Sequence, residues 1–344
     1  MKKRIFRVPL LILCFALLLA GCTEAPSASL SESLTPAASP PSEPPAAVSA
    51  SPAPEAPPEP EPDPTRPVAQ NIPCMPQADG LSAIEGNVTV IDFSHADDGY
   101  FMVNYTGSNA IPRMFVTAPT GVEYRYYLHA GAGYQTFPLT EGPGTYSVII
   151  WENAGGSSYS IADTASFTAN VADDHTLYLY PNQLVDFQED TALVATARQL
   201  AEGCKDDLEL VERAYHYTME NLSYDDYKAA TVKSGYVPDI DEVLSQGTGI
   251  CFDYASVLAT ILRSQGVPTK LQVGNAYNPS DPSNPIYHAW VSVYTDETGW
   301  IDGLIQFDGV SWKLMDPTFA DDEPSDFINN YVTNADNYTV IYNY

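Results

Sequence analysis

The sequence predicts two folded units of different class in tandem, an all-β sandwich over residues 76–172 and an α+β domain over residues 173–344. Three observations lead there. Short alternating segments rich in Val, Ile, Tyr, Phe and Thr recur between Asn87 and Ala169, divided by Gly, Asp, Asn and Pro turns. Helical periodicity takes over after Asn182, and strand-like runs return after Gly266. Helices first and an antiparallel sheet afterwards make an α+β domain rather than a doubly wound one.

The residues ahead of these units read as an address and a spacer. Lys2, Lys3, Arg4 and Arg7 form a basic start, Val8 to Leu19 an apolar run, and Leu19-Ala20-Gly21-Cys22 closes it with small residues before a cysteine. Residues 1–22 resemble a bacterial lipoprotein signal, and the resemblance implies cleavage before Cys22 and lipidation of the Cys22 thiol. The expected location is the extracellular face of a bacterial membrane, held by that lipid. No other apolar run approaches the length of a membrane span. Residues 23–75 follow as a Pro/Ala/Ser/Glu-rich disordered tether, with 14 of the 29 prolines between positions 23 and 67. Such a composition cannot bury enough apolar surface to fold, and as an extended chain its first 45 residues reach at most roughly 140 Å.

Charge and cysteine usage narrow the function classes. All 44 acidic residues lie after Cys22 but only 11 of the 15 Lys and Arg do, which leaves −33 on the chain beyond the signal. That balance excludes nucleic acid as a partner and would attract cationic ones at low salt. Beyond the signal and Cys22, three thiols remain: Cys74, Cys204 and Cys251. An odd count in an exported chain suggests one pair and one reactive thiol, and Cys74 with Cys204 could be that pair, which sequence cannot show. No CxxC or His-rich spacing occurs, so a structural zinc site is not expected.

Seven strands are predicted for the first unit: Asn87 to Phe93, Tyr100 to Tyr105, Arg113 to Thr117, Glu123 to Leu128, Tyr134 to Phe137, Thr145 to Trp151 and Ser158 to Ala169. Gly144-Thr145-Tyr146-Ser147-Val148 resembles the strand-entry tyrosine of immunoglobulin-like modules. Tyr124, Tyr126 and Tyr127 form a cluster that could bind a ligand or simply pack. In the second unit, Asp190 to Ala201 and Asp206 to Glu220 carry helical repeats with aspartates at cap positions, and Asp241 to Ser245 makes a short third helix. Gly247-Thr248-Gly249-Ile250 then runs into a helix that begins at Cys251 and stops at Gly266-Val267-Pro268. Ala255, Leu258, Ile261 and Leu262 continue one helical face from Cys251, so the thiol sits at a helix start above a core. Unpaired N–H groups and the macrodipole favour a thiolate there. Strands are expected at Thr269 to Tyr277, Tyr287 to Tyr294 and Ser311 to Met315.

Two later residues give the cysteine partners. Alternation places His288 with Trp290 on one strand face, and Trp312, Leu314 and Asp316 on one face of another, with Pro317 ending pairing after the aspartate. Neighbouring antiparallel strands would set His288 beside Asp316. In a Cys-His-Asp set the imidazole takes the thiol proton, the carboxylate fixes its tautomer and the sulfur attacks a carbonyl. Asp296, Asp302 and Asp308 compete with Asp316 for the third role.

Four motifs in order carry a family resemblance: Gly-x-Cys-x-Asp-Tyr-Ala at 249–255, Leu262-Arg263-x-x-Gly266-Val267-Pro268, His288-Ala289-Trp290-Val291, and Asp316-Pro317-Thr318. Together they resemble the signatures of the transglutaminase-like superfamily over about residues 185 to 320. The resemblance implies a papain-like α+β fold, no metal and no cofactor, with Cys251 as nucleophile, His288 as general base and acid, and Asp316 as orienter. Asp253 matches an acidic position expected to be structural. The Cys251 N–H is one candidate oxyanion donor, and Tyr224, at a helix end before the nucleophile, is a candidate for the second unless it only packs.

The reading that follows is a cell-surface cysteine acyl-transfer enzyme acting on peptide or glutamine carboxamide bonds through a thioester. Water would make it a protease or amidase, an amine a cross-linker. Its expected partners are a protein or peptide substrate, cell-wall peptide included, and the membrane through Cys22, with the chain a monomer. The competing reading is a catalytically inactive scaffold lipoprotein whose β-domain holds a cell-wall or host ligand.

Overall fold

The computed structural model describes residues 72–278, 281–296, 298–307, 312–314 and 338–344. The signal, Cys22, almost all of the tether, Asp308 and Asp316 lie outside the described residues. Those described belong to one compact unit that starts at Glu61 and runs to Tyr344. Among them no helix is long and apolar enough to cross a membrane.

The first half is a sandwich of two four-stranded antiparallel sheets. One is ordered β1 (Ala83–Glu85), β2 (Thr89–Asp92), β3 (Tyr100–Tyr105), β6 (Tyr134–Pro138). The other is ordered β5 (Glu123–Tyr127), β4 (Arg113–Thr117), β7 (Gly144–Gly155), β8 (Ser158–Ala169). All seven expected strands are present, and β1 is an eighth. Its three residues, only one of them apolar and partly buried, show too little alternation to be read from sequence. Period-two alternation builds the core: in β4, Met114 and Val116 are buried while Arg113, Phe115 and Thr117 are only partly so. Val103, Phe137, Val148 and Ile150 complete the interior at 0 % exposure. Each such side chain contributes about 1.5–3 kcal/mol by leaving water.

Tyr146 does what its strand-entry position suggests. Its hydroxyl donates to the Gly142 carbonyl at 2.8 Å, while its ring is buried beside Phe167. Tyr146→Phe keeps the ring and deletes the bond, so it should cost about 1 kcal/mol in urea unfolding. An unchanged midpoint would show that this corner contributes nothing.

The second half has α1 (Ala192–Ala201), α2 (Asp207–Asn221), β9 (Ser223–Tyr224), α3 (Asp226–Thr231), α4 (Ile240–Gln246), β10 (Thr248–Gly249) and α5 (Cys251–Ser264), followed by strands. Asp206, Asp225 and Asp239 accept the N–H groups of Glu209, Lys228 and Glu242 at 2.8–3.0 Å and so cap α2, α3 and α4. The antiparallel sheet is ordered β14 (Trp312–Leu314), β13 (Gly299–Phe307), β12 (Asp281–Thr295), β11 (Thr269–Asn278), β15 (Tyr338–Asn343). Strands β13 and β15 and helix α3 were not legible, because their apolar residues are too sparse or too interrupted by Gly, Asp and Asn to show a period.

Helix α5 departs from the amphipathic picture. Every residue but Phe252 is buried, because the helix packs on α1 and α2 and on β11 and β12. A helix covered on all sides is apolar or paired all round. Arg263 is the costliest resident, at 0 % exposure. Its guanidinium donates to the main-chain oxygens of Thr269 at 2.8 Å, Tyr180 at 2.7 Å and Tyr344 at 2.5 Å. Burial lowers its pKa to about 9, which still leaves it charged at neutral pH. The Leu262-Arg263 motif is therefore a tie between α5, the start of β11, the segment before α1 and the end of the chain.

Cys74 and Cys204 are not bridged, and neither sulfur is in a disulfide. Cys204 is buried against α1, where its thiol donates to the Leu200 carbonyl at 3.2 Å. Cys74 is half-buried near the sandwich, and Met75 packs on the core within what composition assigns to the tether.

Candidate active site

The loop before Cys251 is fixed from both sides. Gly247, at φ +64°, ends α4, and β9 and β10 then pair in parallel, Ser223 with Thr248 and Tyr224 with Gly249. Gly249 has no room for a side chain, since a Cβ there would lie 2.7 Å from the Cβ of Asp253. The Asp253 carboxylate, fully buried, turns back to accept the Ile250 N–H at 2.7 Å. It also accepts from Lys228 Nζ at 2.7 Å and from the Tyr236 hydroxyl at 2.5 Å. This network binds the first turn of α5 to α3 and to the loop ahead of α4. It gives Asp253 the structural role expected of it, and Lys228 and Tyr236 are the partners that sequence reasoning missed.

Cys251 is 7 % exposed at the first helical position. Burial pushes its thiol up to about 11, against the opposing pull of the Ala289, Phe252 and Cys251 N–H groups that face the sulfur. The expected resting thiolate is therefore corrected: loss of hydration outweighs the helix terminus, and the sulfur carries its proton at neutral pH. His288 follows the same physics. At 5 % exposure its imidazole is driven down to about 4 by burial, so it is neutral and able to accept a proton. Its ring lies stacked 6.1 Å from Trp290, as their shared strand face predicts.

Sheet register shows how the histidine strand reaches the cysteine. Among the described pairings β13 meets β12 only from Val291 onward, and the N–H of Ala289, whose strand partner is Val273 of β11, faces the Cys251 sulfur. The residue before Ala289 is His288. Strand β14 pairs with β13, so the strand leading to Asp316 is next but one to the histidine strand and not its neighbour. Asp316 itself lies outside the described residues. Of its competitors, Asp296 and Asp302 are exposed.

Tyr224 is placed beside the nucleophile by its pairing with Gly249. Burial first, and the nearby Cys251 second, push its phenol up to about 12, which keeps it a hydrogen-bond donor at neutral pH. Tyr224 and Cys251 line one cleft of about 740 Å³, to which β4 and β5 of the sandwich also contribute. The tyrosine cluster divides there. Tyr124 and Tyr126 are buried against Tyr344 at 5.6 and 6.2 Å and join the two halves, and of the three Tyr126 and Tyr127 line the cleft while Tyr124 does not. Asp173, Asp174 and His175 also bring three potential ligand atoms within 4.8 Å of one another. There His175 Nδ1 pairs with Asp173 at 2.7 Å and its ring stacks on Tyr294 at 4.0 Å.

Residues 194–302 match the family model of the transglutaminase-like superfamily. No curated protein matches the chain in sequence. Similar solved structures include a candidate cysteine protease from Cytophaga hutchinsonii, 14 % identical over 59 % of this chain and 77 % of that one, at a TM-score of 0.32. The periplasmic domain of TgpA from Pseudomonas aeruginosa is 14 % identical over 64 % of this chain and 93 % of its own, at a TM-score of 0.30. Red sea bream transglutaminase is 13 % identical over 58 % and 47 %, at 0.23.

Proposed function

From the transglutaminase-like superfamily domain at residues 194–302, a family of cysteine-dependent enzymes, we propose that the chain is an acyl-transfer enzyme acting on peptide or carboxamide carbonyls through Cys251. The single observation that supports this best is the junction of α5 with β12, where a buried neutral thiol faces the N–H next to a buried neutral histidine. As the sulfur bonds to the carbonyl carbon, its proton passes to the His288 imidazole, and the carbonyl oxygen takes up negative charge opposite the Cys251 N–H and the Tyr224 hydroxyl. Collapse expels ammonia or an amine, which takes the proton from His288, and leaves a thioester. Water or a second amine then attacks with His288 again as base, releasing the acid or the new amide and restoring the thiol. Asp316 is proposed to orient His288.

The sequence at Leu19-Ala20-Gly21-Cys22 supports placing this activity outside a bacterial cell on a lipid anchor. Mass spectrometry after incubation with glutamine peptides and wall peptides should find an acyl adduct on Cys251 that Cys251→Ala lacks. A scaffold with an idle thiol would yield no adduct with any of them.

A further inference from the structure

The cleft beside Cys251 carries a charge opposite to that of the chain. Across the whole sequence 44 acidic residues face 15 Lys and Arg, yet the described residues lining the cleft include Arg113, Arg125 and Lys233 and no Asp or Glu. Two of the three come from the sandwich, one on β4 and one on β5, so the domain ahead of the nucleophile supplies the cationic wall. Scattered surface lysines would not give this segregation.

The arginines are also held ready. The Arg113 guanidinium lies between two rings, 4.4 Å from the Tyr159 centroid and 5.5 Å from that of Tyr127, and its Nε is buried with no hydrogen-bond partner. Tyr127 is itself packed closely against Gly235 of the loop beyond α3, where a Cβ would meet its ring. Arg125 lies over the Phe115 ring at 4.9 Å, and its only carboxylate, Glu123 at 2.9 Å, forms an exposed pair of little strength. Rings under a guanidinium fix its plane and leave its N–H edge for a ligand, and that planar fork matches a carboxylate. Low-dielectric aromatic walls concentrate the field in the cleft.

We propose that the sandwich forms half of the substrate site, and that Arg113 and Arg125, with Lys233 of the same cleft, select a peptide acyl donor bearing carboxylates close to its reactive carbonyl. The inference rests on the reading of Cys251 as the acyl-accepting thiol, and it makes the preferred substrate acidic even though the chain itself is.

Protection of Cys251 tests this in the full chain without turnover. Iodoacetamide alkylation of Cys251, read by mass spectrometry, is competed by three peptides of one length in which glutamine alternates with glutamate, serine or lysine. Glutamate should protect about tenfold better than serine, and lysine worst. The ratio of glutamate to serine protection within each variant should fall toward one in Arg113→Gln, Arg125→Gln and Lys233→Gln. Should Arg113→Gln fail to fold, the other two, on exposed side chains, carry the test. Equal protection by all peptides, a ratio that survives the three substitutions, or equal competition by inorganic phosphate would each overturn the assignment. If the glutamate peptide protects but no peptide ever acylates Cys251, the acyl-transfer reading fails and the acidic site stands. Acylation without charge preference does the reverse.

Discussion

Replacing His288 with alanine should lower acyl transfer by about 10²- to 10⁴-fold, the usual contribution of a positioned acid–base group. The effect belongs in kcat more than in KM, because the imidazole acts as the sulfur gives up its proton. The pH behaviour distinguishes this from a resting ion pair. With the thiol at about 11 and the imidazole at about 4, alkylation of Cys251 by iodoacetamide should keep climbing through neutral pH toward 11. A plateau from acid to neutral pH would mean that the thiolate forms before any substrate arrives. His288 also leaves a mark on stability. Its ordinary pKa of 6.5 is restored on unfolding, so between about 4 and 6.5 the unfolded chain binds a proton that the folded one refuses. Stability is therefore full above 6.5, falls as pH drops toward 4 and levels off below, by about 3 kcal/mol at most. His288→Ala should flatten that limb, which urea titrations across this range would detect.

Asp253→Asn should destabilise the fold by about 3 kcal/mol, near the lower end for breaking a buried ion pair, because Lys228 retains some contact with water. The amide has the right size, but one of its ends would present N–H groups to donors, and the Lys228 ammonium would lose its counter-charge. In a fold of this size that corresponds to a fall of roughly 10 °C in Tm. Lys228→Met alone should also destabilise by leaving the carboxylate buried, whereas Asp253→Asn combined with Lys228→Met should lose less than the sum. Strict additivity in this cycle would deny the coupling. The first turn of α5 hangs on the Asp253 to Ile250 bond, so activity should fall along with stability.

Much of this could be read in the chain alone, and the reason is locality. Period-two alternation placed Met114 and Val116 in a sandwich core, Asp206 had a nearby N–H group to cap, and Gly266-Val267-Pro268 could only end a helix. Cys251 and His288 were legible because each sits in a short motif whose backbone requirements are local. The rest depended on contacts between distant segments. Charge states were one case: the helix terminus promises a thiolate, but only packing of α5 on β12 shows that dehydration wins. The ion pair of Lys228 with Asp253 joins residues 25 positions apart, and neither neighbourhood announces it. Strand order was another, since β13 stands between β12 and β14 whatever the alternation of their faces. The sign of the cleft was a third. Composition reports a chain of −29, whereas the placement of Arg113 and Arg125 in one cleft with Cys251 exists only once β4 and β5 are folded against the second half. Local sequence determines which residues can react and where elements start and stop; hydration, pairing and local field are properties of what surrounds a group in space, and the tertiary structure alone decides them.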